Sequence, residues 1–192
     1  MYTISDPLAQ ASAKSADWID RSSFQVEKVK TLDVRPLTGE SWRLERAGDN
    51  ADWRLAGAKP GEKLDVSRAN AATYSLSLLE LADVAADDVK DTGLDKPTLL
   101  NATTFDGLAY EIKVGALVGD SYYVRFSSSG SAPDEAKGPD EERLKKLRER
   151  LPREKLLSDH VLLVPKSKLE DTLKPRAELL EKKPEKKSGP GS

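Results

Sequence analysis

Between residues 98 and 127 apolar side chains recur at every second position around two turn signals, and this alternation leaves few folds open. Tyr110, Ile112, Val114, Ala116 and Val118 fall on one face of a strand, and Glu111 and Lys113 fall on the other. Asp106-Gly107 is a strong hairpin signal, because a type I′ turn needs positive φ at both central residues. A two-residue turn there sets Phe105 opposite Leu108, Thr103 opposite Tyr110 and Leu99 opposite Val114. The next turn is Gly119-Asp120-Ser121. With two residues in that turn Arg125 would stand opposite Val114, on the apolar face. With three, Val118 meets Tyr122, Ala116 meets Val124 and Val114 meets Phe126. A one-residue slip exchanges the faces of a whole strand, so the longer turn is expected. The result is a three-stranded meander with Tyr110, Ile112, Val114, Val124 and Phe126 buried against a helix. Glu111, Lys113, Tyr123 and Arg125 then point the other way.

Upstream, residues 24–34 alternate as a strand, but the spacing of Phe24, Val26, Val29, Leu32 and Val34 requires a shift of face or a short kink. Residues 41–56 read as a hairpin around Gly48-Asp49, with Leu44 opposite Trp53 and Trp42 opposite Leu55. Its two tryptophans bury of order 150–250 Å² each. Asp65 or Ser67 caps a helix that runs to about Leu81. Tyr74, Leu78 and Leu81 form one stripe on it, and Ala69, Ala72, Leu76 and Leu79 form a second, nearly opposite. A helix apolar on two sides is expected to be largely buried, which makes it the best candidate to cover the meander.

Downstream, residues 128–139 are rich in Ser, Gly, Pro and acids and read as a mobile loop. Residues 140–151 form a surface helix with acids first, arginines last and Leu144, Leu147 and Leu151 inward. Pro152 ends or kinks it. Residues 160–164 form a short strand. Ser167 and Glu170 match a capping box for one more helix, with Leu169 and Leu173 inward and Pro175 as its stop. The fold class is α+β, with antiparallel meanders and covering helices. The pattern Trp42-Arg43-Leu44 … Trp53-Arg54-Leu55 echoes Tyr110-Glu111-Ile112 … Tyr122-Tyr123-Val124, which allows a duplicated β-β-β-α unit. The domain plan is a connecting arm over 1–22, an α+β domain over 23–180 with halves 23–90 and 97–180, and a disordered tail over 181–192.

Composition narrows the function classes. The net charge is −2, with 33% charged residues, which does not suit a nucleic-acid binder. The absence of cysteine removes thiol nucleophiles and disulfides. No run approaches the roughly 20 apolar residues of a membrane span, and no signal peptide is evident. The opening Met1-Tyr2-Thr3-Ile4-Ser5-Asp6-Pro7-Leu8 reads as the interior of a longer protein, excised behind an added Met1.

Candidate chemistry is sparse. His160, the single histidine, stands beside Asp159 and could act as a general base, but it reads better as a strand-end residue near solvent. Asp83, Asp87, Asp88, Asp91 and Asp95 form an acidic run without the order of a calcium loop. The Ser127-Ser128-Ser129-Gly130-Ser131 run lacks the ending of a phosphate loop. The basic residues from Arg143 to Lys155 alternate with acids and leucines, as on a solvated helix face. Trp42, Trp53, Tyr110 and Tyr122 read as core aromatics. Tyr123 and Arg125, placed outward by the register, are the candidate partner surface. No catalytic, cofactor-binding or metal-binding residue is assigned, and no cofactor is expected.

Asp6-Pro7-Leu8, Asp17-Trp18-Ile19-Asp20-Arg21 and Phe24-Gln25-Val26-Glu27-Lys28-Val29-Lys30 together resemble the bacterial domain-of-unknown-function 4340 family. The resemblance continues through Trp42-Arg43-Leu44, Asp52-Trp53-Arg54-Leu55, Thr104 to Tyr110 with Lys113-Val114-Gly115, Val164 to Leu169 and Leu173 to Arg176. It implies a membrane-tethered protein whose soluble part lies outside the cytoplasmic membrane, as an auxiliary component of gliding-motility-type ABC transporters. On that basis the expected function is a non-enzymatic extracytoplasmic binding or accessory module, with a protein of a membrane complex as partner. A structural or assembly domain making protein contacts is the first alternative, and a hydrolase using His160 or the acidic run is the second. The family has no established catalytic residues to carry over, and its N-terminal membrane helix has no counterpart in this sequence.

Overall fold

A computed structural model describes residues 24–86, 88–131 and 140–181. The expected arm over 1–22, residues 132–139 of the expected loop and residues 182–192 of the tail lie outside the described residues. Glu181, where the tail was expected to begin, still donates its N–H to the Lys63 carbonyl at 2.9 Å.

The described residues form one antiparallel sheet of eight strands with helices. The first meander is β1 (Val29–Arg35), β2 (Trp42–Glu45) and β3 (Arg54–Leu55), followed by α1 (Val66–Ser77) and a short β4 (Asp83–Val84). The second is β5 (Thr98–Thr104), β6 (Ala109–Val118) and β7 (Ser121–Ser129), followed by α2 (Asp140–Leu157), β8 (Leu162–Pro165), α3 (Lys166–Leu169) and a 3-10 helix over Arg176–Leu179. The spatial order is β3-β2-β1-β5-β6-β7-β8-β4. The first strands of the two meanders therefore pair at the centre, and the echo seen in sequence falls on β2 with β6 and on β3 with β7.

Both turns of the second meander differ from expectation. Thr104 pairs with Leu108, donating to its carbonyl at 2.9 Å, so three residues close the hairpin and only Gly107 has positive φ, +80°. This is the three-residue hairpin loop with glycine in the left-handed region. The register moves by one residue: Thr103 faces Ala109, Ala102 faces Tyr110 and Leu100 faces Ile112. Leu100, Ala102 and Thr104, rather than Leu99 and Thr103, thus share the buried face. The β6–β7 turn holds two residues, Gly119 and Asp120, not three, since Val118 pairs with Ser121. The register then shifts between Val114 and Leu117, so that Val114 faces Val124 and Ile112 faces Phe126. A bulge at Gly115-Ala116 therefore supplies the parity that the longer turn was invoked to supply.

The bulge is seated by the loop before β5. Ala116 donates its N–H to the Thr92 carbonyl at 2.7 Å, and a Cβ on Gly115 would lie 2.2 Å from that oxygen. Gly93, at φ +69°, lies so close that its own Cβ would meet the Ala116 nitrogen at 2.7 Å. Two glycines, one on each side, permit this approach.

The covered face holds Tyr110, Ile112, Val114, Val124 and Phe126, all buried. The ring on them is Phe24, stacked on Phe126 at 3.7 Å and tilted against Tyr110 at 6.0 Å. Residues 24–27 are not part of β1. The chain kinks at Lys28, φ +48°, which is the change of face required by the spacing. The helix tied to this meander is α2 rather than α1, because Arg143 binds Asp106 of the turn with two bonds, 2.8 and 2.7 Å.

In α1, Asp65 is the cap, accepting from the Ser67 and Arg68 N–H groups. The helix ends at Ser77 and buries one stripe, Ala69, Ala72, Thr73 and Leu76. Tyr74 is 63% exposed and Leu78 44%, so the expected burial on two sides does not occur. That stripe meets the C-terminal segment, where Thr172 donates to the Ala72 carbonyl at 2.7 Å.

Four further expectations are corrected. In the first hairpin Leu44 faces Leu55 rather than Trp53, because Arg46 folds the connection into a longer loop. Its Nε donates to the Val29 carbonyl, its Nη2 donates to Asp49, and its guanidinium lies 4.7 Å from the centre of Trp53. Trp42 and Trp53 are nonetheless both buried. α2 continues past Pro152 to Leu157, and α3 begins behind Pro165 with no side-chain cap, so Ser167 and Glu170 form no capping box. Ser127 to Ser129 belong to β7, paired with Ala109 to Glu111, and not to a loop.

Candidate functional site

Alternation along the strands gives the sheet two unlike faces. Its second face carries no fully buried large apolar side chain among the described residues; Thr31, Asp33, Leu99, Asn101, Glu111, Lys113 and Tyr123 are half-buried there and Arg43, Arg54 and Arg125 are exposed. Tyr123 and Arg125 both lie on this open face. Tyr123 stands opposite Leu163, and Arg125 stands opposite Lys113, which in turn faces Leu99 and then Arg35. Three cations thus lie in one row across four strands. Arg35 is paired with Asp33 at 2.9 Å and Lys113 with Glu111 at 3.2 Å, while Arg125 has no carboxylate partner among the described residues.

Arg125 also enters a cavity of about 300 Å³ that it shares with Thr92, Leu94, Asp159 and His160. His160 precedes β8 rather than opening it, with its N–H bonded to the Leu157 carbonyl at 3.1 Å. The loop of the acidic run lines this cavity through Ala85, Ala86 and Val89, and not through Asp83, Asp88, Asp91 or Asp95. Asp87 lies outside the described residues. Among the described residues no group of three or more His, Asp and Glu is arranged to hold a metal ion. The Thr92 hydroxyl in the cavity lining accepts the Leu94 N–H at 3.4 Å.

A second polar centre escaped sequence reasoning. Glu154 on α2 is fully buried, with Arg150 one turn before it and the Tyr110 hydroxyl donating to it at 3.4 Å. Arg150 Nε lies 2.9 Å from the Glu154 carboxylate, but the N–H is not aimed at the oxygen, so this is an ionic contact rather than an aligned hydrogen bond. The other arm of the guanidinium donates to the Gln25 carbonyl at 2.9 Å. Burial lifts the Glu154 carboxyl from 4.5 to about 7, against the pull of Arg150. Burial, and then the Glu154 charge, holds the Tyr110 phenol above its ordinary value. This cluster ties α2 to the segment before β1 and to β6. In sequence Glu154 is one acid among many on a charged helix, so only its placement past Pro152 on the Leu144-Leu147-Leu151 side hinted at burial.

A family model described as Domain of unknown function (DUF4340) matches residues 1–97. The chain belongs to that family. The DUF4340 match covers the motifs from Asp6 through Leu55, the first meander and α1. It stops at Pro97, so the motifs quoted from residues 104–115 and 164–176 lie beyond it. No curated protein and no solved structure matches the chain. No helix among the described residues is long and apolar enough to cross a membrane.

Proposed function

We propose that this DUF4340 family member is a non-enzymatic extracytoplasmic module of a membrane-anchored, transporter-associated protein, and that it engages a protein partner through the open sheet face at Tyr123 and Arg125. The observation that carries this reading is the open face itself. An aromatic ring and an exposed guanidinium with no carboxylate partner among the described residues stand two positions apart on an interior strand, and such residues anchor protein contacts. Lys113 and Arg35 continue the row, but each is paired with a carboxylate of its own strand, so the positive charge not offset among the described residues is that of Arg125, which favours an acidic group on the partner.

The test is co-purification from membranes of cells producing the tagged full-length parent protein. Wild type is expected to bring down transporter subunits identified by mass spectrometry. Arg125→Glu is expected to reduce their yield at least tenfold while leaving the melting temperature unchanged. Retention of the subunits by Arg125→Glu would exclude this surface. A hydrolytic reading of the Arg125, Asp159 and His160 cavity would instead require turnover that is lost in His160→Ala.

A further inference from the structure

We propose that the opposite end of the open face, over β1, β2 and β3, binds a small soluble molecule carrying a phosphate group. There the sheet and the Arg46 loop form an open concavity of about 460 Å³, lined by Lys30, Thr31, Arg43, Glu45, Arg46 and Arg54, with Thr103 of β5 beside Thr31. That volume lies in the range of small-molecule sites.

The charge balance selects the ligand. Arg46 is committed to Asp49 and the Val29 carbonyl, so its charge is offset locally. Lys30 and Arg54 have no ion-pair partner among the described residues. Arg43 meets Glu45 only at 3.9 Å, with both side chains about half exposed, a weak pair. Two positive charges therefore stand in excess of Glu45, on three neighbouring strands that hold them apart and face them into one hollow. A phosphoryl group carries about −1.5 to −2 charges at neutral pH, whereas a carboxylate carries one. Arginine forks match its oxygens in pairs. The Thr31 and Thr103 hydroxyls hydrogen-bond each other at 2.6 Å, so one hydrogen of the two satisfies that bond and the other remains to be donated. A free donor beside an excess of cations is what a phosphate oxygen requires. The concave shape commits the site to a discrete molecule rather than to a flat lipid surface, and the site is independent of the partner contact at Tyr123 and Arg125.

Sodium pyrophosphate is the probe, titrated calorimetrically at constant ionic strength against sodium chloride. A saturable one-to-one isotherm is expected. The Arg43→Gln, Arg54→Gln double variant is expected to weaken it at least tenfold with an unchanged melting temperature, because both side chains are exposed. Lys113→Gln, farther along the same face, is expected to bind as wild type does. The proposal is overturned if pyrophosphate gives no heat beyond dilution, if the double variant binds normally, or if binding appears only to phosphatidylglycerol vesicles.

Discussion

Val114 stands directly opposite Val124, although the two-residue turn at Gly119-Asp120 would by itself set Arg125 there. The bulge at Gly115-Ala116 absorbs the difference, and the Thr92 carbonyl holds it in place. The facing of Arg125 toward solvent is thus decided not by the turn but by a contact from a loop more than twenty residues earlier. Gly115→Ala is expected to destabilise the protein by about 1–3 kcal/mol, as an atom forced into filled space usually does. Urea denaturation measures it. The added Cβ meets a backbone oxygen that cannot rotate away.

The two faces of β6 should respond differently to truncation. Ile112 is fully buried, and Ile112→Ala is expected to cost about 2–5 kcal/mol through lost transfer energy and a cavity. Lys113→Ala, on the open face, is expected to change stability by less than about 0.5 kcal/mol, since its pair with Glu111 is solvent-exposed. Equal losses at both positions would contradict the one-sided burial.

Glu154 makes stability fall as pH rises. Its folded value of about 7 lies above the ordinary 4.5, so between those values the native state keeps a proton that the unfolded chain has released. The contribution is complete below about pH 4.5, declines through pH 7 and levels off above it. Glu154→Gln, which keeps the proton-bearing shape, is expected to flatten this slope and to be more stable at pH 8 by up to about 3 kcal/mol. Denaturation curves from pH 4 to 8 provide the comparison.

Glu62 acts in the opposite direction. Its carboxylate takes two bonds from Arg176, at 2.8 and 2.6 Å, and a backbone bond from Lys59, which together hold it down at about 2. The stability it contributes is present above about pH 4.5 and is lost as pH falls toward 2. Arg176→Leu is expected to flatten the acid limb while Glu154→Gln leaves that limb in place, a distinction that acid titration of both variants reads.

Alternation carried most of the fold. It placed every buried residue of β6 and β7 on the correct face, together with Tyr123 and Arg125 on the other, because a period of two survives an error in turn length as long as parity is kept. The registers themselves were not legible. Asp106 of the three-residue loop is held by Arg143 of α2, and the bulge at Gly115-Ala116 is met by Gly93 and the Thr92 carbonyl from outside the meander. Both are tertiary contacts. The Tyr74-Leu78 stripe of α1 misled for the same reason: both residues are apolar, but among the described residues no element covers them. The Glu154 cluster was hidden because α2 passes through Pro152, where a helix ordinarily stops. The basic hollow over β1, β2 and β3 was invisible because Lys30, Arg43 and Arg54 come from three separated segments.

The open face as a protein-docking surface is tested most directly by site-specific photocrosslinking. A photoreactive phenylalanine analogue replaces Tyr123 in the full-length parent protein in its own membranes, and in a second strain it replaces Tyr74 on the exposed side of α1. Adducts to a transporter subunit are expected from position 123, lost when Arg125→Glu is added, and absent from position 74. No adduct from position 123, or the same adducts from both positions, would contradict the account.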